Sequence, residues 1–211
     1  MSLGNVLILG DSYSTFEGYI PEGYACYYIP REKLETDVRK VEETWWHQVI
    51  SETDSTLLLN DSWSGSTVCN TGYSGDCSKT NSFICRLNKY IADGFFEKNR
   101  VDTVFVFGGT NDNWANAPIG DIKFDNITNE DLFCVLPAMS YFLKSLSDTL
   151  PNAKIYCLIN TDLKVDIADG YKQIAEHYAV KPICFENIDK MNGHPTIIGM
   201  KDIKNKVLEE I

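Results

Sequence analysis

Four short apolar runs set the limits on what this chain can fold into. Val6-Leu7-Ile8-Leu9 ends at Gly10, and Leu57-Leu58-Leu59, Val104-Phe105-Val106-Phe107 and Ile155 to Ile159 repeat the pattern. Pro182-Ile183-Cys184-Phe185 is a weaker fifth. Runs this short, apolar at consecutive rather than alternate positions, predict strands buried on both faces. Helical spacing fills the gaps, roughly over Glu42 to Glu52, Ser82 to Glu97, Glu130 to Thr149, Ile167 to Tyr178 and Thr196 to Leu208. In the third of these, Leu132, Val135, Leu136, Met139, Phe142, Leu143 and Leu146 keep one apolar face. Strands alternating with helices imply right-handed crossovers and a mostly parallel sheet covered on both sides. No repeat, low-complexity tract or linker interrupts the pattern, so residues 1–211 read as one domain.

That architecture also says where to look for chemistry. Three longer irregular segments, Tyr13 to Asp37, Asp61 to Lys79 and Gly109 to Asn129, each follow an apolar strand. In an open α/β sheet this places them at the carboxyl edge, where ligands bind. Thirty acidic residues against 19 basic ones give a net charge of −11. Such a surface repels nucleic-acid phosphates and anionic lipid, and favours neutral or cationic small molecules. Seven cysteines stand without a C-x-x-C pair, several in apolar runs, which predicts reduced thiols and a cytoplasmic location. Cys69 and Cys77, close together in a Gly/Ser-rich loop, are the pair placed to bridge instead. No H-x-x-x-H, dense acidic cluster, P-loop or dinucleotide fingerprint is present, so neither a metal nor a cofactor is expected.

The strand ends carry four short motifs. Gly10-Asp11-Ser12-Tyr13-Ser14 follows the first run and sets a serine on a tight turn, its hydroxyl beside free backbone N–H groups. The second run leads through Trp63 and Ser64 to Gly65, which presents a bare N–H. Gly108-Gly109-Thr110-Asn111-Asp112 ends the third and offers the Asn111 amide as a donor. Gly193-His194-Pro195-Thr196 precedes the last helix and places a histidine in a loop, where a general base can reach a nucleophile. His47 and His177 lie within helical patterns and read as structural. Each motif alone is an ordinary turn or cap.

Together, and in this order, the four resemble the SGNH, or GDSL-like, hydrolase family over essentially the whole chain. The resemblance implies a flavodoxin-like three-layer α/β/α sandwich with a mostly parallel sheet. It implies Ser12 as nucleophile and His194 as base. Ser12, Gly65 and Asn111 would form the oxyanion hole. One departure stands out, because the family's aspartate three residues before the histidine is Met191 here. Either Asp189 reaches the ring as third member of a triad, or a backbone carbonyl orients the imidazole of a Ser–His dyad. Aromatic residues crowd the loops, with Trp63, Trp114 and Tyr13 as candidate substrate contacts. These rings and the acidic surface favour a short acyl ester, such as an O-acetyl group on carbohydrate. An acyltransferase using the same site and a non-catalytic carbohydrate binder on the same fold are the alternatives.

Overall fold

The computed structural model describes residues 2–211. Five parallel strands form the central sheet: β1 (Asn5–Gly10), β2 (Thr56–Ser62), β5 (Thr103–Phe107), β6 (Lys154–Ile159) and β7 (Lys181–Cys184). They lie in the order β2-β1-β5-β6-β7. Two small antiparallel pairs stand apart, β3 (Thr71–Gly72) with β4 (Gly75–Asp76), and β8 (Lys190–Met191) with β9 (His194–Pro195).

Side-chain alternation divides the interior into two cores. Leu7, Leu9, Val104, Val106, Ile155 and Cys157 point to one face, where α2 (Phe83–Ala92), α5 (Val135–Thr149) and α6 (Val165–His177) cover them. Val6, Ile8, Phe105, Phe107, Tyr156 and Leu158 point to the other, under α1 (Trp45–Glu52) and α7 (Ile197–Glu210). Each buried Leu, Ile or Phe contributes ~1.5–3 kcal/mol, and both faces of the central strands are filled this way. The result is the three-layer α/β/α sandwich that the alternating pattern and the family resemblance imply.

Two departures from the sequence expectation matter locally. The helix expected from Ser82 to Glu97 breaks at Gly94, whose φ of +66° ends α2 before the short α3 (Phe95–Lys98) begins. The segment expected to be irregular after β5 instead starts a five-residue helix, α4 (Thr110–Trp114). The cysteines are all free, so Cys69 and Cys77 form no bridge.

The strand order reverses between β1 and β5. From β1 the chain steps outward to β2, then returns past β1 to β5. Loops leaving the carboxyl ends of these two neighbours diverge, and the crevice between them is where ligands bind in such sheets. Ser12 lies just beyond β1, and Asn111 just beyond β5.

Candidate active site

The turn after β1 is a single 3-10 turn, Ser12–Ser14, capped by Asp11, whose carboxylate accepts the Tyr13 N–H at 3.0 Å. Gly10 is required by close approach, because a Cβ there would lie 2.5 Å from Ser62 Oγ. Beneath the turn the buried Arg86 donates to Gly10 O (3.1 Å) and Ser66 Oγ (3.1 Å), and pairs with the buried Asp61 carboxylate. One cation thereby ties the ends of β1 and β2 to the loop that holds Gly65. Removing either member of such a buried pair typically costs ~3–5 kcal/mol, since the other charge is left uncompensated.

Ser12 Oγ lies 2.9 Å from His194 Nε2, although the two residues are 182 positions apart. On the far side of the ring, His194 Nδ1 lies 3.2 Å from Asn192 O. A carbonyl only accepts, so Nδ1 carries the proton and Nε2 presents its lone pair to the serine hydroxyl. The tautomer a general base requires is therefore set by the backbone.

Asp189 does not take this role. In the β8–β9 hairpin Met191 pairs with His194 and Lys190 with Pro195, so the next position, Asp189, falls opposite Thr196. Its carboxylate accepts the Thr196 hydroxyl at the start of α7 and is spent there. His194 itself stands on a strand rather than in a loop, because Asn192 (φ +51°) and Gly193 (φ +78°) form a two-residue hairpin turn. The Asn-Gly dipeptide is the strongest short-range signal for such a turn, and it was available in the sequence.

Aromatic rings enclose the imidazole. Tyr27 stacks on it at 3.6 Å with an interplanar angle of 7°, and the Lys33 ammonium lies 3.7 Å from the Tyr27 ring. Trp114, 43% exposed, meets it edge-on at 5.7 Å. Burial pushes the His194 pKa down from 6.5 to about 4; the bond to Asn192 opposes this, while the Lys33 and Lys190 charges add to it. The neutral base form thus persists well into acid. We expect kcat/KM for ester hydrolysis to stay level from neutral pH to about 5 and to fall as pH drops through about 4. An acid limb centred near 6.5 in a pH–rate profile would instead mean a solvated ring.

The three donors expected of an oxyanion hole share one property: none of them has a partner within the described residues. The N–H groups of Ser12 and Gly65 (φ +81°) meet no acceptor among the described residues. Asn111 is buried; its Oδ1 accepts the Tyr73 hydroxyl at 2.9 Å, and its Nδ2 is left without a partner. A buried, orphaned amide donor is costly unless something else satisfies it, and a developing oxyanion is such a partner. The neighbouring Asp112 carboxylate accepts the N–H groups of Val68 (2.8 Å) and Cys69 (3.0 Å), fastening the Gly65 loop to α4. Burial holds the Asp112 carboxyl above its usual range and raises that of Asp11 to about 7.

Of the three aromatic substrate candidates, two face the site. Trp63 packs against Tyr24 at 4.0 Å and, with Gly65 and Tyr73, lines a cleft of about 440 Å³ that also exposes Asp76, Thr80 and Asn81. Trp114 stands edge-on to His194. Tyr13 does not face substrate: its ring is fully buried and its hydroxyl donates to Gly193 O at 2.5 Å. Tyr27, Tyr28 and Tyr73 stood in the sequence only among the many loop aromatics, and their contacts here are made across the fold; the carbonyl that meets the imidazole belongs to Asn192, two residues before it.

A family model for the GDSL-like Lipase/Acylhydrolase matches residues 4–211. The chain belongs to the GDSL-like lipase/acylhydrolase family, and is thus of the acyl-ester hydrolase class. It is similar to crystal structures of GDSL-like lipases from Bacteroides uniformis ATCC 8492 and Bacteroides ovatus ATCC 8483. The first is 44% identical, with 99% of this chain and 95% of that one covered and a TM-score of 0.90. The second is 41% identical, covering 99% and 98%, also at 0.90. A family two carbohydrate esterase from Clostridium thermocellum, solved in complex with cellohexaose, shares the fold at 14% identity, with a TM-score of 0.63 and coverage of 99% and 63%. No curated protein matches the chain.

Proposed function

We propose that the protein hydrolyses short acyl esters, O-acetyl groups on carbohydrate foremost, through an acyl-enzyme on Ser12. The observation that carries the reading is the 2.9 Å approach of Ser12 Oγ to a His194 whose tautomer the Asn192 carbonyl fixes. As Oγ attacks the ester carbonyl, its proton passes to Nε2, and the carbonyl electron pair becomes an oxyanion held by Ser12 N–H, Gly65 N–H and Asn111 Nδ2. Collapse expels the alcohol, which takes the proton from Nε2. Water then gives a proton to Nε2 and attacks the acyl-serine; as the tetrahedral intermediate collapses, Nε2 returns that proton to Ser12 Oγ and the carboxylic acid leaves. The chemistry is that of a dyad assisted by a carbonyl, and it draws on no cofactor.

The carbohydrate part of the reading rests on the cleft beside Gly65. Trp63 and Tyr73 offer ring faces, and Asp76, Thr80 and Asn81 offer hydroxyl partners. An acidic surface suits a neutral sugar better than an anionic lipid. The fold shared with carbohydrate esterases is in keeping with this.

A serine-directed fluorophosphonate, followed by hydrolysis of p-nitrophenyl acetate, butyrate and octanoate and of an acetylated xyloside, tests the proposal. One adduct on Ser12 is expected, with acetate the fastest of the three chain lengths. No labelling at all would turn the reading toward a carbohydrate-binding protein. Labelling with acyl transfer to an added alcohol in preference to water would make the protein an acyltransferase.

A further inference from the structure

Among the described residues no carboxylate bonds to His194 Nδ1, yet the backbone around the ring is held from both sides. Tyr13 donates its hydroxyl to Gly193 O at 2.5 Å, and Tyr28 donates to Pro195 O at 2.9 Å. These carbonyls lie immediately before His194 and one residue after it. Both tyrosine rings are fully buried, so their hydroxyls have given up water for these bonds. Each ring is also braced: Tyr13 packs edge-on against Phe107 at 5.6 Å, and Tyr28 against Tyr27 at 4.9 Å. A third tie comes from Lys190, whose ammonium donates to Thr161 Oγ1 (2.5 Å) and Asp162 Oδ2 (2.8 Å), fixing the hairpin to the end of β6.

Tyr13 is the residue after Ser12. One rigid aromatic therefore carries the nucleophile's backbone at its base and the base's backbone at its hydroxyl. That side chain is the most direct of the ties between Oγ and Nε2, with two torsions between its ends.

We propose that Tyr13 and Tyr28 are positioning residues for ester hydrolysis, holding His194 by its flanking carbonyls in place of an orienting carboxylate. The inference rests on the reading of Ser12 and His194 as nucleophile and base. Neither hydroxyl touches reacting atoms; each acts through the hairpin. Because a small misplacement of a base is felt in the chemical step and not in substrate binding, the loss should fall on kcat.

The test uses Tyr13→Phe and Tyr28→Phe, which keep the packed ring, with kcat counted per Ser12 labelled by fluorophosphonate so that unfolded protein does not enter. On p-nitrophenyl acetate, Tyr13→Phe should lower kcat roughly tenfold with KM within about twofold, and the phosphonylation rate should fall in parallel. Tyr28→Phe should follow the same split with a smaller loss.

A second substitution separates positioning from stability. Met191 is paired directly with His194 across the hairpin, so the two side chains leave the same face. Met191→Asp places a carboxylate beside the ring. It should recover most of the lost kcat in the Tyr13→Phe background without recovering any lost Tm. If both Phe variants keep wild-type kcat per labelled Ser12 while Tm falls, the tyrosines are structural and the proposal is overturned. If the wild type neither labels nor turns over, the reading of the site falls first and this one with it.

Discussion

Replacing Ser12 or His194 with Ala should each lower kcat on p-nitrophenyl acetate by roughly five to six orders of magnitude, and the double variant should be no worse than either single one. The reason lies in the shared proton. Without His194, the hydroxyl must attack while still holding its proton. Without Ser12, the imidazole has no nucleophile to activate. Either loss removes the same pathway, so the effects do not multiply. KM should change little, since neither side chain forms the cleft beside Trp63. Multiplying losses in the double variant would mean that the two residues act separately, and that the 2.9 Å contact is not the catalytic one.

Asn111→Ala should lower kcat by ~10²–10³, or roughly 3–4 kcal/mol of transition-state stabilisation, with the Ser12 adduct still forming slowly. The amide is already committed before substrate arrives. Tyr73 occupies Oδ1 and so fixes the orientation of the amide, and no group among the described residues satisfies Nδ2. A preorganised donor is worth most where charge appears only in the transition state. Asn111→Asp should be no better than Ala, because a carboxylate offers no donor and repels the oxyanion. Tyr73→Phe should cost less than either, since the amide survives and loses only its orientation. Steady-state kinetics on one ester ranks all three. If Asn111→Ala raises KM and leaves kcat intact, the amide binds ground-state substrate instead.

The layers of the fold could be read from consecutive apolar runs because a strand buried on both faces has nowhere to place polar residues, as β1 and β5 show. The helix faces followed from spacing, as in α5. The residues proposed for the chemistry, Ser12, Gly65, Asn111 and His194, stand out in the sequence because each sits at a strand end or a turn, where local sequence dictates local backbone. What could not be read was their support. Tyr13 and Gly193 are 180 positions apart, Tyr28 and Pro195 are 167, and Tyr73 and Asn111 are 38. No local pattern encodes such contacts, and a tyrosine near a site reads first as a substrate contact. Asp189 was attractive for the opposite reason, closeness along the chain. Antiparallel pairing sent it across from Thr196, two hairpin rungs from His194, where its carboxylate accepts the Thr196 hydroxyl. The short α4 was hidden because Gly, Asn and Asp are common turn formers, and the bonds that hold Asp112 in it come from Val68 and Cys69, more than forty residues away.

The hairpin that carries His194 has only two residues in each strand and two in its turn. Along a strand, side chains alternate sides, and a shift of one residue exchanges them. Gaining or losing a single residue at Asn192-Gly193 would therefore turn the imidazole away from Ser12 and bring a neighbour into its place. Surface loops ordinarily absorb insertions, but this one has no slack to give. This turn works as a length gauge: the two residues between Met191 and His194 decide which side chain is presented to Ser12.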